Sequence, residues 1–288
     1  MWYYHRRMRT DSGLDPMRAL TRAGIGLLFV LAVLNGGFLY FVPGQAEADY
    51  AWAIKPPVSA AFMGAGYLAG ALGTGLAVFA ARHWRSVRGL VPGFSLLGVE
   101  LLVATLIHSD KFRWDYTPTW GWTVVYGTLP VAAIFLWRHQ GRVARDVPPE
   151  VRDPRLGILP TVSLGLGLVL LAIAAILFVA PAGLLDDWPW ALTPLMARVF
   201  AGWYLLAAVT LLFLGASMRR GHELVIPFAT AASWSLFVLL LPVTHSDTVD
   251  TGAPLFAPFL AIHALTLGAC AVIATRGLVL ARRDGQHL

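Results

Sequence analysis

The chain has 288 residues, 57% of them hydrophobic and only 13% charged, with a mean hydropathy of +0.66. Soluble domains carry about a quarter charged residues and under half apolar ones, so this composition argues against a soluble enzyme, a disordered chain and a nucleic-acid binder. The net charge of +6 invites an acidic partner, but the placement of the basic residues gives another reason, and the single cysteine, Cys270, excludes a disulfide framework or a cysteine-based metal cluster.

A bilayer core of about 30 Å is crossed by roughly 20 mostly apolar residues in helical form. Eight stretches qualify. In chain order they run Ala23 to Val42, Val58 to Ala81, Gly89 to His108, Trp122 to Trp137, Ile158 to Ala180, Leu195 to Met218, Leu224 to Thr244 and Phe259 to Leu280. The fourth is short and bounded by Trp120, Trp122 and Trp137, which suits interfacial anchoring. The segments between spans are too short for a soluble domain, so function sits in the helices and their loops. The first apolar run exceeds the 7–15 residues typical of a signal-peptide h-region, which predicts a retained helix.

Charge predicts the orientation. Arg6, Arg7, Arg9, Arg18 and Arg22 precede the first span, Arg82, Arg85 and Arg88 follow the second, and Arg138, Arg142, Arg145, Arg152 and Arg155 follow the fourth. Arg219 and Arg220 follow the sixth span, and Arg276, Arg282 and Arg283 lie toward the end of the chain. The opposite loops hold only Lys55, Lys111 and Arg113, and collect Glu47, Asp49, Asp110, Asp115, Asp186, Asp187, Asp247 and Asp250. Basic flanks stay cytoplasmic, so both termini are expected inside, and the high pI reflects topology and anionic-lipid contact. Abundant Arg, Ala and Gly beside scarce Lys point to a bacterial cytoplasmic membrane. His5, His83, His139, His222 and His287 lie among these arginines and read as surface residues.

The chain repeats itself. Asp49-Tyr50-Ala51-Trp52-Ala53-Ile54-Lys55-Pro56 returns as Asp187-Trp188-Pro189-Trp190-Ala191-Leu192-Thr193-Pro194, and His108-Ser109-Asp110 returns as His245-Ser246-Asp247 at nearly the same offset. Phe62 and Gly64 match Phe200 and Gly202. This predicts an all-α transmembrane bundle made by tandem duplication of a four-helix unit. Residues 1–141 form the first unit with its cytoplasmic tail, 142–157 a linker, and 158–288 the second unit. An even number of spans per copy makes the repeat parallel, with an axis along the membrane normal. Trp188-Pro189-Trp190-Ala191-Leu192-Thr193-Pro194-Leu195 resembles a stretch of bacterial multi-pass membrane proteins of unassigned function. That resemblance implies a membrane protein and carries over no catalytic residue.

Both matched motifs fall on the acidic side. In the first, Pro56 and Pro194 suit helix entry, Trp52 and Trp190 suit the headgroup level, and Asp49 and Asp187 suit a loop-tying role. In the second, His108 and His245 sit at helix C-termini, where the dipole favours an imidazolium, and the bland reading is a Ser-Asp turn. If the third and seventh spans meet at the axis, His108, Asp110, His245 and Asp247 converge. That set suits Zn²⁺, Mn²⁺ or Fe²⁺, or a cluster responsive to external pH. Glu100, Arg198 and His263 are ionisable groups within spans, which by default face the bundle interior or a wet cavity. The repeat offset sets Phe237, Ala60 and Tyr126 opposite them, so none is duplicated. Glu100 and Arg198 are a candidate pair across the halves.

These features favour a pseudo-twofold, transporter-like or small-ligand-binding membrane protein with an outward His/Asp/Trp vestibule. Its cargo would be hydrophobic or amphipathic, because the spans offer little to replace the hydration of a polar solute. The alternatives are a scaffold or accessory subunit with a membrane protein partner, and a membrane-embedded redox or metal-dependent enzyme.

Overall fold

The computed structural model describes residues 16–141 and 151–285, and within them the chain is helical with no strand beyond one isolated bridge. The tail before residue 16, which includes His5 and Arg6, lies outside the described residues, as do linker residues 142–150 and His287. Eight helices are long and apolar enough to cross a membrane. They are α1 (Ala19–Phe41), α2 (Pro57–Phe79), α3 (Leu90–Ile107), α4 (Thr117–Gly141), α5 (Leu159–Val179), α6 (Pro194–Ser217), α7 (His222–Thr244) and α8 (Phe256–Arg283).

Boundaries follow local chemistry. Proline opens α2 and α6, where a missing N–H costs nothing and the ring presets the helical φ. The α6 start is also capped by Thr193, whose hydroxyl accepts the Met196 N–H. The fourth span is longer than its apolar run suggests, because Thr117 to Gly121 and Arg138 to Gly141 continue the helix at both ends. Pro130 lies inside α4 and its ring packs on Gly98 of α3.

Each long helix has a fixed partner. Helix α1 packs on α2, α3 on α4, α5 on α6 and α7 on α8, while α3 packs on α6 and α2 on α7 to join the two halves. Helices α2, α6 and α7 are more than half buried, whereas α1, α4, α5 and α8 are buried over a third or less of their spans. The outer helices show large apolar side chains such as Leu27, Val131, Val179 and Val272 on the outside. Lipid is as apolar as these side chains, so no hydrophobic force drives helix on helix, and close packing must do so. Small residues supply it: Gly73 of α2 lies under Thr230 of α7, and Gly93 of α3 under Thr210 and the Leu206 carbonyl of α6.

The basic segments gather at one end. Arg22 binds the Val78 and Ala81 carbonyls, Arg18 binds the His139 carbonyl, Arg152 binds the Ala216 carbonyl, and Arg155 bridges Asp153 and Asp284. Arginine is suited to carbonyl and carboxylate capture by its fixed fork of donors. The acidic loops occupy the other end, where Arg113 binds the Ala48 and Tyr50 carbonyls.

Candidate functional site

The doubled tryptophan motif builds two aromatic clusters rather than an interfacial belt. Trp52 is 2% exposed and Trp190 3%, so neither reaches solvent or headgroups, a correction to the interfacial expectation. Rings in the first cluster meet edge to face: Tyr50–Trp52 at 5.2 Å and Trp52–Trp122 at 4.9 Å, with Trp122–Tyr126 tilted at 4.3 Å. In the second cluster Trp188–Trp190 lie at 5.6 Å, Trp190–Phe259 at 5.4 Å and Phe259–His263 at 4.9 Å. Such contacts add to area burial through the ring quadrupoles. The loops beneath them use the same backbone bond, Arg113 N–H to Ala51 O at 3.0 Å and Asp250 N–H to Pro189 O at 2.7 Å. Each cluster also ends in a buried polar pair, Tyr67 with Tyr126, and Tyr204 with His263 at 2.9 Å. His263 is 1% exposed, with Ser235 at 3.5 Å from its other ring nitrogen.

The acidic side chains of the motif take no part in these contacts. Asp49 and Asp187 are exposed and their carboxylates make no hydrogen bond among the described residues. The loop-tying role falls instead to Arg113 and to the Asp187 carbonyl, which accepts the Leu255 N–H.

The two histidines do not converge. Helix α3 packs on α6 and α4, not on α7. His108 Nε2 lies 2.6 Å from Arg198, which also donates to the Phe178 carbonyl at 3.1 Å, so this rim contact ties α3, α5 and α6. Burial and the nearby guanidinium hold the His108 imidazole below its ordinary range. His245 contacts its neighbour Thr244 at 2.9 Å, and burial lowers its imidazole as well. Asp110 is exposed beside Lys111 at 2.9 Å, and Asp247 is exposed. Among the described residues no group of three or more His, Cys, Asp or Glu side chains is placed to hold a metal ion. The four-residue metal set therefore lacks the geometry it needs.

Glu100 does not pair with Arg198. Glu100 is 7% exposed, and both its carboxyl oxygens are buried with no hydrogen-bond partner. Gly202 of α6 makes the room, since any side chain there would strike the carboxyl oxygen and Leu97. Gly98 against Pro130, with the Trp122 indole donating to Thr105 at 2.9 Å, sets the α3–α4 register and puts Tyr126 within electrostatic reach of Glu100.

The open space lies elsewhere. A cavity of about 380 Å³ sits within the first half toward the basic end, lined almost wholly by apolar side chains of α1, α2, α3 and α4. Leu27, Val124 and Phe135, exposed on the outside of the bundle, stand at its rim between α1 and α4. Inward it adjoins a cavity of about 50 Å³ beside Tyr67, Tyr126 and Trp203, sharing Leu28, Thr74, Val125 and Leu129 with it. A third void of about 30 Å³ follows between α2, α3, α6 and α7, and Phe94 lines all three.

Sequence reasoning missed Glu223, the phenol pair and this cavity. Glu223 is fully buried and takes Arg88 at 2.8 Å, and His222, read as a surface residue, is buried beside it. A glutamate immediately before the seventh apolar stretch, on the same side as a loop of three arginines, was the available signal. Comparison with protein-family models, with curated proteins and with solved structures finds no match to this chain.

Proposed function

We propose that this integral membrane protein binds an amphipathic small molecule drawn sideways from the bilayer, on a transporter-like frame of two parallel four-helix units. The single observation behind this reading is the chain of three adjoining cavities, apolar-walled throughout, with Tyr67, Tyr126, Trp203, Thr210 and Trp234 among the residues at the inner end. Ligand sites typically span about 300–1,000 Å³, mostly apolar with a few placed polar groups, and the outermost of the three, about 380 Å³, falls in that range. The duplication is supported by helix pairing that maps onto itself when the halves are exchanged, and by the recurring ring contacts. The basic end faces the cytoplasm on the positive-inside rule, which puts both termini inside and the aromatic clusters outside. The buried tryptophans then brace each unit, and the ligand path lies on the opposite side of the bundle from the His/Asp/Trp rim.

The test uses an alkyl chain bearing a terminal diazirine, photolysed with the protein in nanodiscs. Crosslinks at Leu28, Leu31 and Leu129 above those at lipid-facing Val131 and Val272 are expected. Val125→Trp, which fills the junction between the two larger cavities, should abolish the inner crosslinks. Equal labelling of both faces, unchanged in the variant, would sink the reading and leave a scaffold role.

A further inference from the structure

The void of about 30 Å³ lies where the halves meet, and it is lined by Trp203 and Thr210 of α6 and Trp234 of α7. These side chains are at least nine-tenths buried. The two indole nitrogens and the Thr210 hydroxyl have no hydrogen-bond partner in the protein. A polar group left so in a low-dielectric interior is costly, and all three belong to side chains that line this one void. The space exceeds the roughly 10–15 Å³ that a single water-sized group requires.

The lining dictates the chemistry of that occupant. An indole N–H can only donate, and a hydroxyl can donate as well as accept. No carboxylate, ammonium, guanidinium or imidazole lines the void. An anion there would be desolvated without a counter-charge and a cation would lack acceptors, so both are disfavoured. An uncharged oxygen with two lone pairs takes two of these three donors at no such cost, and the third shares a lone pair in a three-centre bond.

We propose that this void receives the carbonyl oxygen of a long-chain ligand, held by the Trp203 and Trp234 N–H groups and the Thr210 hydroxyl. Its chain passes Phe94, the side chain common to all three cavities, into the apolar space between α1 and α4. This inference rests on the ligand-binding reading above and adds the class of head group.

The experiment compares 2-tetradecanone, isotope-labelled at its carbonyl, with tetradecane, both added to the protein in nanodiscs. Adducts are counted by native mass spectrometry and the labelled carbonyl stretch is read by infrared difference spectroscopy. The ketone should bind about tenfold more tightly than the alkane, the amount that one or two net hydrogen bonds supply. Its stretch should move to lower frequency. In Trp203→Phe/Trp234→Phe/Thr210→Val, which keeps an aromatic ring at both tryptophan sites and removes the two N–H groups and the hydroxyl, both probes should bind alike and the stretch should return to its free position. Tetradecane binding with no advantage for the ketone, or an unshifted carbonyl on the wild-type protein, overturns the carbonyl site and leaves the apolar cavity standing. Failure of both probes to bind overturns the ligand-binding reading too. Should the triple variant fold poorly, Trp234→Phe alone must still lower the ketone's advantage, and the wild-type carbonyl shift decides independently.

Discussion

Glu223 offers the sharpest test of how the halves are held. It stands in the first turn of α7, where the helix dipole favours a carboxylate, and is fully buried. Arg88 Nη2, from the loop between α2 and α3, approaches it at 2.8 Å, with Arg85 Nη1 at 3.8 Å and the Arg219 backbone N–H at 3.3 Å. Arg88→Met keeps most of the stem's bulk and strands the buried charge. Removing one partner of a buried ion pair costs about 3–5 kcal/mol. Arg85 and the Arg219 N–H remain, which places the loss near the lower end, at about 3 kcal/mol. Glu223→Gln should cost about 1 kcal/mol, because Arg88 is partly exposed and can turn outward while the amide keeps a hydrogen bond. With Arg88→Met/Glu223→Gln no buried charge is left stranded, so the pair should cost about 2 kcal/mol, less than the single arginine change. Reversible unfolding in mixed dodecyl sulfate micelles, followed by circular dichroism, measures all three. Losses that add to within about 0.5 kcal/mol would mean no coupling, and the latch would be refuted.

Gly202→Ala should destabilise the fold by about 1–3 kcal/mol, the usual cost of overpacking, because its Cβ meets Glu100 and Leu97; adding Glu100→Ala should restore part of that loss in the same micelle assay. No loss in Gly202→Ala would contradict the close approach of α3 and α6. Acid should loosen the outer rim: the native His108 imidazole is held low by burial and by Arg198, so below about pH 6.5, the ordinary histidine value, the unfolded chain takes the proton first. Stability from this group is thus full above pH 6.5 and falls as pH drops toward the lowered native value. The slope should shrink in His108→Gln, leaving the part that His245, also lowered by burial, supplies, and an equal slope in that variant would count against the assignment.

The spans were legible because lipid imposes a single requirement, a continuous apolar helix, and each expected stretch overlaps an observed helix. Ends differ where polar residues prolong a helix, as at Thr117 and at His222, since hydropathy marks the apolar slab and not the last hydrogen-bonded turn. The tryptophans of the doubled motif were found, but their depth was not. Amphipathic rings favour the headgroup level on their own, and here Trp122 and Phe259 from the fourth and eighth spans enclose them. Neither the Tyr67–Tyr126 pair nor the Arg88–Glu223 pair could be read from spacing, as each joins segments far apart in sequence. The proposed Glu100–Arg198 pair failed for a related reason: Arg198 has the His108 ring and the Phe178 carbonyl within reach, and these satisfy it at the rim.

The proposed duplication makes the differences between the halves informative. At the repeat offset Tyr126 corresponds to His263 and Glu100 to Phe237, and both halves use the fourth-helix position for a buried hydrogen bond to a tyrosine of the second helix. Around His263 that bond is enclosed by Phe62, Tyr204, Trp234 and Phe259, with ring centroids 4.9–6.4 Å away. Tyr126 meets the Trp122 ring at 4.3 Å, and Leu28, Leu31 and Leu129 line the cavity beside it. Bulky rings packed on all sides fix one arrangement, because an interior at crystal-like density has little room to shift. Aliphatic side chains around a cavity forgo contacts across it and so have fewer to break. Under the proposed duplication and ligand path, one plan serves two ends: a ring-packed half that supplies Trp203, Thr210 and Trp234 to the shared void, and a half whose cavity gives a chain from the bilayer its approach.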